Sequence, residues 1–93
     1  MTACGQHQLA NLMPLVLYSR NYCHLCLDML TALEALRGEF VFSLTVVDVD
    51  ADPEAEEKFD ELVPVLTNGN GIELCHYHFD EPKVRAYLQG QTQ

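Results

Sequence analysis

The sequence predicts an α/β sandwich, a four-stranded mixed sheet with helices packed on it in the order β-α-β-α-β-β-α. Three observations carry this. Two apolar runs, residues 15–18 and 40–49, flank a stretch where Cys26, Met29, Leu30, Leu33 and Leu36 recur at helical spacing. Asp52-Pro53 and, later, Asp80 each announce a further helix. Asn68-Gly-Asn-Gly71 marks a hairpin turn between the last two strands. At 93 residues the chain makes one domain at most, with a modest core.

Taken in order, residues 1–13 show no sustained period and carry small, polar and amide side chains, so a loosely ordered arm is expected. The folded domain is expected over residues 14–89, with a short tail at 90–93. After Pro14 the run Leu15-Val-Leu-Tyr18 is too short for a helix and suits a strand buried on both faces, as in a parallel sheet. Ser19, Arg20 and Asn21 supply a turn and a helix N-cap. The helix is expected over residues 25–37, with Asp28 and Glu34 outward and Gly38 as its stop.

Residues 40–49, rich in Phe, Val and Thr, read as a second buried strand. Strand, helix, strand then forms a right-handed crossover between parallel strands. Asp52 caps the next helix, Pro53 takes its first position, and Glu54, Glu56 and Glu57 complement its dipole rather than forming a metal box. That helix is expected to reach about residue 62. Val63-Pro64 begins a third strand, with the proline where its missing N–H does no harm. Residues 72–78 return antiparallel, and Asp80 caps a last helix over residues 81–88 with Val84, Tyr87 and Leu88 inward.

Five Lys and Arg stand against 14 Asp and Glu, a net charge of −9 at pH 7. Nucleic acid and anionic membrane surfaces call for basic patches, so neither is an expected partner. No run approaches the ~18 apolar residues of a membrane span, and the first residues lack the basic n-region of a signal peptide. Cytoplasmic residence is expected. There, Cys4, Cys23, Cys26 and Cys75 are not read as a structural disulfide framework.

The chemistry concentrates in Tyr22-Cys23-His-Leu-Cys26. A cysteine at a helix start sits among unpaired N–H groups and the positive end of the dipole, both of which favour thiolate. A second cysteine three residues on shares the helix face and is close enough for a small disulfide ring. Cys23, nearer the turn, is the expected nucleophile, and Cys26, on the inner stripe, the resolving thiol. His24 between them would stabilise the thiolate if protonated. A zinc knuckle needs a second close-spaced pair, whereas the remaining donors, Cys75, His76 and His78, lie far down the chain. No metal site is expected. An inert buried pair is the other reading of the spacing. Cys75 reads as a small core residue, and His76 and His78 as edge-strand surface residues.

These residues resemble the thioredoxin-like superfamily and, within it, the small glutaredoxin-like proteins. Leu17-Tyr-Ser-Arg20 precedes Cys23-His-Leu-Cys26, followed by Val49-Asp-Ala-Asp-Pro53 and then Val63-Pro64 with a strand and a Gly turn. The resemblance covers residues 14–89. It implies a cis Val63-Pro64 bond beside the cysteines, although only about 5% of X–Pro bonds are cis in general. It also implies that the backbone of Val63 receives an extended substrate as a short strand. Arg20 matches the position where glutaredoxins keep a basic residue for the glutathione carboxylate.

The departures are specific. Leu74-Cys-His-Tyr77 stands where glutaredoxins have Gly-Gly-x-Asp for the glutathione γ-glutamyl end. Leu17 and Tyr22 stand where thioredoxins have a buried acid and a tryptophan, so the resemblance names no proton acceptor for Cys26. The function expected is a monomeric thiol–disulfide oxidoreductase with no tightly bound cofactor and a potential of about −270 to −120 mV. Its substrate would be a protein disulfide or a glutathione mixed disulfide, and its donor a reductase or glutathione. The alternative of another class is a non-catalytic thioredoxin-fold module that docks a partner, or transiently holds a metal, through the two thiols.

Overall fold

The computed structural model describes residues 13–90. The expected arm, with Cys4 and His7, therefore lies outside the described residues, apart from Met13, which is the first residue of a strand rather than the last of an arm. Of the expected tail only Gly90 is described.

The elements are β1 (Met13–Ser19), α1 (His24–Ala35) with a 3-10 turn at Leu36–Gly38, β2 (Phe42–Asp48), a 3-10 turn at Val49–Ala51, α2 (Pro53–Phe59), β3 (Val65–Asn68), β4 (Glu73–His76) and α3 (Glu81–Leu88). The sheet order is β2-β1-β3-β4, with β1 and β2 parallel and the other pairs antiparallel. This is the α/β sandwich with a four-stranded mixed sheet and three helices that the residue pattern predicts.

Local chemistry explains the boundaries. Asp52 Oδ1 accepts from the N–H groups of Glu54 at 3.1 Å and Ala55 at 3.4 Å, capping α2 ahead of Pro53. Asp80 Oδ1 does the same for Lys83 N at 3.2 Å in α3. In the hairpin, Asn68 Oδ1 accepts from Asn70 N at 2.8 Å and Ile72 N at 3.0 Å, while Gly71 takes φ 82°, which a side chain would resist. Helix α2 stops at Phe59 instead of reaching residue 62, because Leu62 N turns back to Phe59 O at 2.9 Å and leads the chain into Val63-Pro64.

A further expectation is corrected. Strand β2 is not fully buried: it is a sheet edge, and Ser43, Thr45 and Val46 are exposed. An apolar run reports which faces helices cover, not where a strand sits in the sheet order, so an edge strand over a helix reads much like a central one.

The main core lies between the sheet and the pair α1 and α3. Leu15, Leu17 and Leu66 meet Met29, Leu33 and Leu36 from α1 and its terminal turn, and Val84, Tyr87 and Leu88 from α3. On the other face the Phe59 ring of α2 lies against Tyr18, centroids 4.5 Å apart. Tyr87 fastens α3 to the start of β1 by donating its hydroxyl to Pro14 O at 2.7 Å. Gly69 is required beside it, since a Cβ there would collide with Pro14 Cγ.

Two substitutions test this packing. Leu33→Ala, at a fully buried site, is expected to cost about 3 kcal/mol in urea unfolding. Thr67 carries a buried hydroxyl with no hydrogen-bond partner among the described residues. Thr67→Val is therefore expected to raise the unfolding free energy by about 1 kcal/mol, and a loss of stability would show that the hydroxyl is satisfied.

Candidate active site

Strand β1 ends at Ser19, which pairs in register with Asp48 at the end of β2. Arg20, Asn21 and Tyr22 then carry the chain into α1, and Tyr22 takes φ 62° with its ring fully exposed. The cap of α1 is not Ser19, Arg20 or Asn21, as the turn composition suggests, but Cys23 itself. Its backbone is extended, φ −104° and ψ 106°, and its Sγ accepts from Cys26 N at 3.1 Å. Cap geometry here uses sulfur where serine or aspartate would supply oxygen. Leu27 N donates to Cys23 O at 3.1 Å and completes the first turn.

Cys23 and Cys26 are joined as a disulfide, with Cα atoms 5.1 Å apart. Cys23 is partly exposed, whereas Cys26 is only 5% exposed and shares the inner stripe with Met29 and Leu33. Exposure and the helix-start position thus separate the two sulfurs. No acidic residue lies in the first turn of α1, so nothing on that turn opposes negative charge on Cys23. His24 is exposed and faces Asp28 one turn on, Nε2 to Oδ2 3.4 Å, which points it along the helix surface.

Val63-Pro64 reaches the same end of the sheet, because Val65 pairs with Tyr18, near the end of β1. The Val63-Pro64 bond is cis, and Pro64 O accepts from Tyr77 N at 2.8 Å, tying the end of β4 to this segment. Tyr77 does so with φ 65°, a conformation that glycine accepts and a bulky side chain resists.

Arg20 is engaged by the connection between β2 and β3. Its Nη2 lies 2.6 Å from Asp60 Oδ1 and 3.0 Å from Asp50 Oδ1, and its Nη1 donates to Asp60 O at 3.2 Å. Its Nε is buried without a hydrogen-bond partner among the described residues. The Asp60 carboxylate, seconded by Asp50, raises the guanidinium above its ordinary pKa. The pair with Asp60 spans forty positions of sequence, and no local pattern could have announced either partner.

The other candidates lie elsewhere. Cys75 is a buried core thiol, and burial pushes its pKa up. His76 Nδ1 is 2.6 Å from Glu73 Oε2 on the edge strand. Among the described residues no group of three or more His, Cys, Asp or Glu side chains converges as a metal site would require. The buried polar side chain among them is Thr67, and no carboxylate is buried beside Cys26. No helix in the described residues is long and apolar enough to cross a membrane.

An α/β sandwich with a cysteine pair at the first turn of α1 and a Val-Pro segment at the same sheet end defines a thioredoxin-fold protein with a redox-type site. Residues 14–89 match the model of the Glutaredoxin-like domain (DUF836), and the chain belongs to that family. No curated protein matches it by sequence. Among solved structures it is similar to protein Ne2328 of Nitrosomonas europaea, with 35% identity and a TM-score of 0.76 over 84% of this chain and 93% of that one. It is also similar to XcR50 of X. campestris, with 39% identity and a TM-score of 0.61 over 82% and 96% of the two chains. NrdH-redoxin of Escherichia coli, described as a glutaredoxin-like protein with a thioredoxin-like activity profile, is 27% identical with a TM-score of 0.60 over 78% and 93%.

Two outcomes follow. After reduction, iodoacetamide is expected to modify Cys23 at least about ten-fold faster than Cys26 and to spare Cys75 until unfolding; mass spectrometry of digests reads the order, and earlier labelling of Cys26 or Cys75 contradicts it. The raised Cys75 pKa also has a sign. Its contribution to stability is full below the ordinary thiol value of about 8.5 and is lost as pH rises through the higher folded value. Cys75→Ala is therefore expected to flatten the alkaline limb of the stability curve.

Proposed function

We propose that the protein is a thiol–disulfide oxidoreductase that works through the Cys23/Cys26 couple. The observation that carries this is the place of Cys23 Sγ at the start of α1, where it accepts from Cys26 N within the disulfide; once the disulfide is reduced, the same N–H would favour negative charge on this more exposed sulfur. In the reducing direction the Cys23 thiolate attacks one sulfur of a substrate disulfide. A Cys23–substrate bond forms, the substrate disulfide breaks, and the first substrate thiolate leaves. Cys26, deprotonated, then attacks the Cys23 sulfur, forming the intramolecular disulfide and releasing the second thiolate. Two electrons pass to the substrate, and its two thiolates take up protons in exchange for the two that Cys23 and Cys26 gave to solvent.

A dithiol reductase or glutathione resets the disulfide, and the substrate is a protein disulfide or a glutathione mixed disulfide. The protein acts as a cytoplasmic monomer. Val63 and Pro64, at the same end of the sheet, line the path of an extended substrate, whose backbone would pair with that of Val63.

The test uses hydroxyethyl disulfide with an excess of a dithiol reductant. Cys23→Ser is expected to abolish turnover. In a separate reaction, Cys26→Ser that has been reduced and then freed of reductant is expected to stall with hydroxyethyl disulfide as a mixed disulfide at Cys23, seen as a mass increase of one substrate half. Turnover that survives Cys23→Ser contradicts the assignment, and a wild type without turnover leaves a docking module instead of an enzyme.

A further inference from the structure

We infer that the groove beside Cys23 receives a polypeptide disulfide with an apolar residue next to its cysteine and positive charge flanking it, and that it disfavours anionic glutathione. This rests on the oxidoreductase reading above and names its substrate class.

The first ground is shape. An open groove of about 610 Å³ runs from the disulfide toward the β2 edge, walled by Leu17, Leu27, Leu30 and Val46. Leu27 is 61% exposed and Val46 is 51% exposed, so apolar surface lies open next to the reactive pair. Tyr22, fully exposed on a left-handed backbone, stands at its mouth. Contiguous exposed apolar surface with a polar rim marks a contact site, and an open groove with apolar walls can take an apolar side chain of a substrate chain. Glutathione carries no apolar side chain to fill it.

The second ground is charge. More than half of the chain's 14 acids fall in residues 48–61, with Lys58 the one base among them. This segment is where Arg20 finds both of its carboxylate partners. Arg20 also lines the groove, yet both of its terminal nitrogens are already held there. A glutathione carboxylate would have to displace Asp50 or Asp60 and enter an anionic field. Among the described residues no carboxylate lines the groove itself; the acids stand behind Arg20, where Asp50 and Asp60 hold its guanidinium, and a cationic substrate is drawn toward that acidic segment while anions are repelled. The chemical step is unchanged: the substrate disulfide gains two electrons and the Cys23/Cys26 dithiol loses two.

The test compares attack by the reduced full chain on three small disulfides: dicationic cystamine, neutral hydroxyethyl disulfide and anionic oxidised glutathione. Each rate is divided by that of a free dithiol under the same conditions, which removes intrinsic reactivity. Cystamine is expected to exceed oxidised glutathione by at least about ten-fold at low ionic strength, with the ratio collapsing in roughly 0.5 M salt. Asp50→Asn combined with Asp60→Asn is expected to raise the glutathione rate relative to cystamine.

For the apolar component, a peptide disulfide with Leu before and Lys after its cysteine is compared with the same peptide carrying Ser for Leu. The Leu peptide is expected to react faster, and Leu27→Ser with Val46→Ser to erase that advantage. Oxidised glutathione reacting as fast as cystamine, a ratio indifferent to salt, or no preference for the Leu peptide overturns the inference while the neutral disulfide still reports an active couple. Failure with the neutral disulfide as well overturns the oxidoreductase reading and this inference together.

Discussion

The hydrogen bond from Cys26 N to Cys23 Sγ is the constraint on which the site depends. It does three things with one contact. It ends the turn after β1, it satisfies one of the N–H groups that open α1, and it places the exposed sulfur where negative charge is welcome. The spacing of the two cysteines makes this unavoidable once the helix begins at His24. The sulfur sits at the cap position, and the N–H it needs belongs to the residue three places on, whose own side chain faces the core. A different sequence separation would lose either the cap or the burial of the second sulfur.

The rest of the fold holds that helix start in place. Met29 and Leu33 press α1 on Leu15, Leu17 and Leu66, so the first turn cannot swing away from the end of β1. Arg20, in the turn itself, is gripped by Asp50 before α2 and Asp60 after it. The ion pairs are partly exposed, and such pairs add little stability on their own. Their consequence is electrostatic. They remove the one cation of the turn from service as an anion receptor and set carboxylates beside the groove. Family membership thus fixes the fold and the type of site, while the charge pattern of this particular chain is the ground for the proposed preference among disulfides.

Much of this was legible in the residues. Caps that rely on side-chain oxygens, Asp52 and Asp80, were readable because cap and helix are adjacent in sequence, as was the hairpin at Asn68 to Gly71. The inner stripe of α1 was readable from its period. What escaped the sequence was either non-local or chemically unusual. Strand β2 gave no sign of its edge position, because apolar content reports helix cover rather than strand order. The partners of Arg20 lie far along the chain. Turn composition points the cap of α1 at polar residues instead, because sulfur is a weak acceptor and is seldom found there. The groove needs Leu27 and Leu30 from α1 together with Val46 from β2, and only the register of the parallel pair brings them together.

The most direct measurement of the central claim is the pH dependence of Cys23 alkylation in the reduced protein, followed by mass spectrometry from pH 4 to 10. A sulfur stabilised as thiolate by the cap should keep reacting well below the free thiol value of about 8.5, with the rate nearly level through about pH 7. A rate that falls about ten-fold with each pH unit below 8.5, as for a free cysteine, would show that the cap does not stabilise the thiolate and would contradict the account.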